Sequence, residues 1–404
     1  MHVAFVLSGL HGGGSQRRLL TLAREFLARG HRADIIVGTV AGPFRDRVPA
    51  RASLISLHDG GVSALLARSK SLRMAAAVPA LARYFRHGGP DVVLSSGTPA
   101  NLAALIARRL AGVRTPIAVS VNVPVSTATA EPGRPFLARL VRRWYQEADA
   151  VIANAAALGD DVARFAKLDR KRVTVIANPI DIDEIRRRSQ EDVAHPWLGG
   201  PSGLGGSSSE RPPVVLAVGK LKPQKDFATL VRAFAQARQQ RPLRLLILGE
   251  GEQRGLLLRL AERLGVAADV ALPGFAANPF AYMARAAVLV QTSRWEGFSN
   301  VLVEALACGC PVVATDCSGG TDEVLASGRY GRLVGVGDVR AIATAILATL
   351  TEAPPREALR RRADGFGVEA AVDRYLEVLA GCLERSSSTD SRVPTRRSQS
   401  SSTA

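Results

Sequence analysis

The chain is expected to fold as α/β: two doubly wound Rossmann-like domains with mostly parallel sheets and an interdomain cleft. Three observations carry this expectation. Short β-branched apolar runs alternate with longer amphipathic stretches along nearly the whole chain, which is the pattern of repeated βαβ units. The alternation stops once, at a charged segment around 181–211 that includes GGPSGLGGSSSERPP, a composition suited to a flexible connection. It then resumes as a second series, and 404 residues are enough for two domains with their own cores.

The elements follow in order. In the first series the apolar runs 2–8, 33–37, 53–57, 91–95, 117–121, 150–153 and 173–176 read as strands. Helical stretches begin near Ser15, Val62, Pro99, Pro135 and Ala157. In the second series the strands are 214–218, 244–248, 270–272, 287–291, 312–314 and 332–334. The expected division is a first domain 1–181, a linker 182–212 and a second domain 213–366. A last helix, 367–384, is expected to pack back on the first domain. The tail 385–404 has almost no apolar residues and is expected to be disordered. In open sheets of this kind ligands bind beyond the carboxyl ends of the strands.

Composition narrows the class. A hydrophobic fraction of 47% with 22% charged residues is ordinary for a globular chain. No apolar run reaches the ~18 residues of a membrane span. The N-terminus MHVAFVLSGLHGGG lacks a basic leader region and reads as strand plus glycine loop, not as a signal peptide. Four cysteines, Cys308, Cys310, Cys317 and Cys382, are too few and too clustered for a disulfide framework. No second pair or His stands at zinc-ligand spacing, so they read as small buried residues.

The most informative stretch is SRWEGFSNVLVE, 293–304. A buried strand precedes it and a buried helix, 301–308, ends it, with Gly309 placed as the stop. Ser299 or Asn300 stands where a helix cap belongs. The amides of Asn300, Val301 and Leu302 are then expected to be free for a phosphate. Glu304 lies one turn into the helix, where a carboxylate can accept hydrogen bonds from a ribose diol. Glu296 lies before the turn, nearer to whatever the phosphate carries. This spacing points to a nucleotide diphosphate bearing a polar group such as a sugar. No Asp-x-Asp sits at a strand end beside a glycine loop, so neither a required metal nor another cofactor is expected.

EGFSNVLVE resembles the E-x7-E signature of the retaining family-4 glycosyltransferases of GT-B fold. The resemblance continues through ALACGCPVVATDCSGGTDEVL and GRYGRLVGVGD. It implies that Glu296 holds sugar hydroxyls and stabilises an oxocarbenium-like transition state, and that Glu304 binds ribose. Gly297, Phe298, Ser299, Asn300 and Val301 then line the donor site. The segment GKLKPQKD, 219–226, resembles the family's G-R-L-x-x-Q-K. It implies that Lys220 and Lys225 hold the diphosphate and stabilise the charge that develops on it. Lys220 replaces the usual arginine, which keeps the charge and loses the planar fork.

Three loops extend the resemblance. The glycine turn 9–14, with Gly12, Gly13 and Gly14, is similar to one that faces the donor across the cleft. It is not a dinucleotide fingerprint, because the spacing differs and no acidic residue ends the second strand. Helix-on-sheet packing alone is the other reading of these glycines. PGF, 273–275, resembles the segment that meets the base, which assigns Phe275 to the donor. VIANPID, 175–181, resembles the V-I-x-N-G-V-D that closes the first domain, with Asn178 either on the acceptor side or simply turn-forming. Many members carry a His after the fifth strand of the first domain, and here Asn122 stands near that position.

The implied activity is transfer of a hexose or N-acetylhexosamine from a nucleotide-diphosphate sugar, UDP-linked by preference, to a glycan or lipid-linked acceptor. The implied setting is bacterial cell-surface polysaccharide synthesis, in the cytoplasm or peripherally at the inner face of the plasma membrane. The alternatives are a nucleotide-sugar epimerase of the same fold and a non-catalytic scaffold. The charge of +17 is uneven: residues 1–190 hold 28 Lys/Arg against 14 Asp/Glu. Two basic amphipathic segments stand out, 62–87 with Arg68, Lys70, Arg73, Arg83 and Arg86, and 135–145 with Arg139, Arg142 and Arg143. They fit an anionic membrane surface and equally the solvated face of outer helices. Nucleic acid is not expected as a partner, since no binding motif is present and aromatics are only 5%.

Overall fold

A computed structural model of the chain describes residues 1–11, 13–58, 70–130, 135–199, 211–317 and 319–390. Thirteen strands form two all-parallel sheets among these residues. The first sheet contains β1 (His2–Leu7), β2 (Arg32–Val37), β3 (Ser53–Ser56), β4 (Val92–Ser96), β5 (Ile117–Val121), β6 (Ala150–Ala153) and β7 (Val173–Val175), in the order β3-β2-β1-β4-β5-β6-β7. The second contains β8 (Val214–Val218), β9 (Arg244–Leu248), β10 (Val270–Gly274), β11 (Val288–Gln291), β12 (Val312–Thr315) and β13 (Arg332–Val334), in the order β10-β9-β8-β11-β12-β13.

The strands are apolar at nearly every position because both faces are covered. In β1, Val3, Phe5 and Leu7 face one core while Ala4 and Val6 face the other, as the two-residue strand period requires. On one face lie Leu19, Leu22 and Phe26 of the helix Gly14–Ala28. On the other lie Leu81 and Phe85 of Val78–His87 and Leu102 and Leu105 of Thr98–Ala111. β8 behaves alike, with Val215 and Ala217 in one core and Leu216 in another.

Strand order reverses between β1 and β4 in the first sheet and between β8 and β11 in the second. At such a switch point neighbouring strands send their following loops apart, which opens a crevice. The loop after β1 holds the glycine turn, and the loops after β8 and β11 hold 219–226 and 292–299. Topology therefore aims all three chemically interesting loops at one cleft.

Two chain crossings join the halves. Ile180 forms a parallel bridge with Gly367, and the Ile180 amide donates to the Phe366 carbonyl at 3.1 Å. Beyond the second crossing, the helix Val368–Asp390 lies against the first sheet. It buries Val368, Ala371, Val372, Tyr375, Leu379 and Cys382, spaced at three or four residues as one helical face demands.

Two sequence expectations need correction, and a third is refined. The supposed linker starts with a helix, Ile182–Ser189. Asp181 caps it by accepting from the Glu184 amide at 3.1 Å, and Ile182 and Ile185 are buried. It is fastened to the second half, where Arg188 donates to the Ala277 carbonyl at 3.0 Å and Asn278 donates to the Arg188 carbonyl at 2.8 Å. The supposed tail begins as helix, since Val368–Asp390 passes Arg385, and the rest of it lies outside the described residues. The basic segment 62–87 contains two helices, Lys70–Ala76 and Val78–His87. Pro79 stands in the first turn of the second, where its missing amide is tolerated. The start of that segment lies outside the described residues.

Leu379 is fully buried against the first sheet, so Leu379→Ala should cost about 2–5 kcal/mol of stability. Urea unfolding followed by tryptophan fluorescence and circular dichroism checks this. An unchanged midpoint would mean that the C-terminal helix contributes nothing to the first domain.

Candidate active site

The site is built where β8 and β11 run side by side, with Leu216 opposite Leu289. Their loops are laced together by hydrogen bonds. Gln224 Nε2 donates to the Trp295 carbonyl at 2.7 Å, and the Arg294 amide donates to the Gln224 carbonyl at 2.8 Å. Thr292 Oγ1 donates to the Lys225 carbonyl at 2.9 Å, and Arg294 Nε meets Asp226 Oδ2 at 3.1 Å.

This lacing brings two of the candidate catalytic residues together. Lys225 Nζ lies 2.5 Å from Glu296 Oε1. Ser293 Oγ donates to the same oxygen at 2.6 Å, and the Ser293 carbonyl is held by Thr315 Oγ1 at 2.6 Å. The Glu296 side chain is 10% exposed, so the carboxylate is oriented by two fixed donors in a partly dry setting. Lys220 is exposed and Lys222, which the sequence reading passed over, lies half-buried between the other two lysines in the loop. Burial pushes the Lys222 ammonium below the usual lysine range; the charges of Lys225 and Lys220 add to this and Glu296 opposes it. Three lysines in one turn, one of them destabilised as a cation, make a setting that favours an anion.

The helix that follows spans Asn300–Ala307 and stops at Cys308, with Gly309 beyond it at φ +71°. Ser299 occupies the N-cap position, yet its side chain caps nothing; its hydroxyl donates instead to Gln291 Oε1. Of the three amides expected to be free, the Asn300 amide turns back to the Phe298 carbonyl at 3.1 Å and the Leu302 amide to the Ser299 carbonyl at 3.2 Å. Only the Val301 amide has no acceptor among the described residues. Gly297 is packed so closely that an added Cβ would sit 1.7 Å from the Asn122 carbonyl oxygen, which excludes any side chain there. Phe298 is buried, its ring 5.7 Å from that of Phe366 at the second crossing.

Glu304 faces the first domain, with Arg17 Nη1 3.5 Å from its Oε1. Burial holds its carboxyl above the ordinary range, opposed by the charges of Arg17 and Lys225. Gly13 and Gly14 begin the helix that carries Arg17, and a Cβ on Gly14 would lie 3.6 Å from Asn300 Nδ2. Gly12 lies outside the described residues. Across the gap, Asn178 Nδ2 donates to Asn300 Oδ1 at 2.8 Å. Asn122 Nδ2 donates to Ser96 Oγ at 2.7 Å, at the end of the first sheet. Phe275 follows β10 and is 81% exposed, well separated in character from the packed loop around Phe298. All four cysteines are free and buried. No helix among the described residues is long and apolar enough to cross a membrane.

Comparison with known proteins bears on the family and the fold. Residues 12–184 match the family model "Glycosyltransferase Family 4" and residues 212–352 match "Glycosyl transferases group 1". The chain is 32% identical over 224 residues to an N-acetylgalactosamine-N,N'-diacetylbacillosaminyl-diphospho-undecaprenol 4-alpha-N-acetylgalactosaminyltransferase of Campylobacter jejuni, covering 55% of this chain and 57% of that protein. It is 33% identical over 245 residues to a D-inositol 3-phosphate glycosyltransferase of Rhodococcus opacus, covering 57% and 53%. The chain thus spans about half the length of these curated relatives. In fold it is similar to the sucrose-phosphate synthase of Thermosynechococcus elongatus, with a TM-score of 0.76 at 19% identity over 95% of this chain and all of that one. It is also similar to Anabaena HepE, solved in complex with UDP, with a TM-score of 0.72 at 21% identity over 94% of this chain and all of that one. Two family models that between them span both domains, and the arrangement of those domains, place the chain among the family-4 glycosyltransferases of GT-B fold.

Proposed function

We propose that the protein is a retaining glycosyltransferase that moves a hexose or N-acetylhexosamine from a UDP-linked sugar to a glycan or lipid-linked glycan. The observation that carries this is the Lys225–Glu296–Ser293 cluster beside the start of the helix Asn300–Ala307. In this reading residues 213–366 take the donor and residues 1–181 the acceptor. UDP bound to Anabaena HepE and the lipid diphosphate in the Campylobacter relative's name support the choice of donor and acceptor.

The chemistry follows from the positions. Lys225 Nζ has three donors, of which one is directed at Glu296, so it can hold the carboxylate and reach phosphate oxygens at once. The Val301 amide and the lysine loop meet the diphosphate. As the bond between the anomeric carbon and the β-phosphate oxygen breaks, negative charge grows on that oxygen, and fixed cations there stabilise the transition state more than the ground state. Glu296 lies on the sugar side, where it binds hydroxyls and opposes the positive charge that develops on the ring. The acceptor hydroxyl attacks from the face the phosphate leaves, and the departing phosphate receives its proton. Glu304 binds the ribose diol, exchanging its contact with Arg17 for the ligand.

Incubating the protein with UDP- and GDP-sugars tests the class. Acceptor-dependent release of nucleotide supports the transferase. Sugar interconversion without an acceptor points to an epimerase, and no binding of any nucleotide points to a scaffold.

The two carboxylates should behave differently. Glu296→Gln should lower kcat, because its partner is the reacting sugar, while Glu304→Gln should raise the Kd for UDP. Glu304 adds a stability signature. Its folded-state pKa is raised by burial, so the charged carboxylate costs stability above the ordinary carboxylate range and nothing below it, where the group is protonated folded or unfolded. Unliganded Glu304→Gln should therefore melt above the parent at pH 7, and the difference should shrink as the pH falls through the carboxylate range. Melting curves across that range decide it: a variant less stable than the parent at pH 7 contradicts the assignment, and tighter UDP binding by Glu304→Gln than by Glu296→Gln would reverse the two roles.

The basic helix Pro135–Trp144 is proposed to rest on an anionic membrane that carries the acceptor. Phe136 is 70% exposed beside exposed Arg139, a pairing that suits an interface. Arg142 lies over Phe165 at 4.8 Å, and Arg143 pairs with Glu147 at 2.7 Å, so part of the charge is already engaged. Each free cation near such a surface contributes on the order of 1 kcal/mol, and salt weakens it. Vesicles containing anionic lipid should pull the protein down at low salt, less so when Arg139, Arg142 and Arg143 become Gln. Retention in the supernatant with both neutral and anionic vesicles would make the helix a solvated face.

A further inference from the structure

Arg18 is the most unusual charge in the first domain. It is 2% exposed, and among the described residues it has no carboxylate within ion-pair reach. Its guanidinium donates only to neutral oxygens: Nη2 to Ser120 Oγ at 2.7 Å and Ser96 Oγ at 3.0 Å, and Nη1 to Asn178 Oδ1 at 3.3 Å. Its Nε is buried without a partner. A buried cation left without a counter-charge is costly, so its retention calls for a role.

The polarity of the hydrogen bonds supplies one. Arginine can only donate, so the Asn178 carboxamide must turn its oxygen toward Arg18. Asn154 Nδ2 donates to the same oxygen at 3.3 Å. The Asn178 NH2 is thereby directed across the cleft, where it donates to Asn300 Oδ1 at 2.8 Å. That bond fixes the second carboxamide in turn. Asn300 Oδ1 faces the first domain, and its NH2 is left with no acceptor among the described residues, on the side of Gly14 and beside the unpartnered Val301 amide.

We propose that Arg18 is a positioning residue for the donor: through Asn178 it orients Asn300 so that the Asn300 NH2 and the Val301 N–H together meet a phosphate oxygen of the nucleotide. Arg18 touches no substrate. It acts by setting the direction of a two-amide relay that spans both domains and exists only when the cleft is closed. The relay also answers why Asn178, in a turn of the first domain, has a side chain that belongs to the donor site. This inference rests on the nucleotide-sugar reading of the cleft.

Asn178→Asp tests the direction rather than the presence of the contact. Aspartate is the same size, gains Arg18 as a counter-charge and offers only acceptors, so Asn300 must reverse its amide and turn its oxygen toward the phosphate. A hydrogen bond to a charged group exchanged for a repulsive contact corresponds to about 10–100-fold weaker UDP binding. Thermal stability should be kept or raised, which separates this effect from misfolding. In an Asn300→Ala background the same substitution should change UDP binding less than two-fold, because the relay then ends in nothing. Arg18→Lys, which keeps a donor, should bind UDP better than Arg18→Met. Calorimetric titration of the full chain with UDP, and with GDP in parallel, reads all of these. If the parent chain binds neither nucleotide, the donor reading fails and takes the relay with it. If the parent binds and Asn178→Asp binds equally, or loses as much in the Asn300→Ala background, the relay alone is wrong.

Discussion

The pairing of β8 with β11 is the constraint on which the candidate site depends. Lys225 and Glu296 are 71 residues apart in the chain, yet each stands in the loop that leaves one of two adjacent parallel strands. Parallel neighbours end on the same side of the sheet, so their loops must meet there. Once they meet, backbone and side-chain bonds from Gln224, Thr292, Arg294 and Asp226 join them into one unit. The Lys225–Glu296 pair is therefore held by packed structure and not by the attraction of two free side chains. Such a pair contributes little net stability once desolvation is counted; its value lies in a cation and a carboxylate whose positions are set before a ligand arrives.

Much of this was legible in the sequence, and the reason is physical. Each strand is a short β-branched run buried on both faces, a signal that depends on composition alone. All thirteen strands therefore lie where their runs place them. Strand order is not written in such runs, because any apolar strand can pair with any other. Nothing in the residues themselves says that 225 meets 296; the resemblance to a family implies only that both serve one donor, the lysine at its diphosphate and the glutamate at its sugar. The linker expected at 182–212 rests on charge followed by Gly/Ser/Pro composition, which outweigh the Asp181 cap and the Ile182–Ile185 spacing. Those two signals, read together, identify its helix.

The misread details of the helix start share one cause. Serine before a helix is a good cap by propensity, but Gln291 is 5% exposed at the end of β11, and its oxygen needs a donor more than the helix needs a cap. The Ser299 hydroxyl goes there. Likewise Arg18 reads in sequence as one more basic residue of an amphipathic helix. Its burial follows from the reach of its side chain to Ser96 and Ser120 near the ends of β4 and β5. Buried polar demand is set by tertiary neighbours, and no local window contains it.

Close packing of Gly297 on the Asn122 carbonyl and of Gly320 on Ala155 crosses the cleft, and polar contacts cross it too. They include Asn178 with Asn300, Arg17 with Glu304, and the Ala156 amide with Glu323 at 3.1 Å. In the Arg17–Glu304 pair the arginine is half exposed and the carboxylate is buried, so desolvation of the carboxylate offsets the attraction and the pair contributes little net stability. The Ile180–Gly367 bridge and the Phe298–Phe366 contact lie at the crossings, where the chain itself prevents separation. The two domains are thus tied at one edge by backbone and apolar packing, and joined elsewhere by polar pairs and by the close fit of Gly297 and Gly320 against the first domain. This division favours a hinge. A nucleotide that replaces water between the two sides adds its own charge to the seam, where the lysine loop and the relay from Arg18 leave donors without acceptors. In the proposed function, a ligand that bridges the two sides favours closure beyond what these contacts supply by themselves.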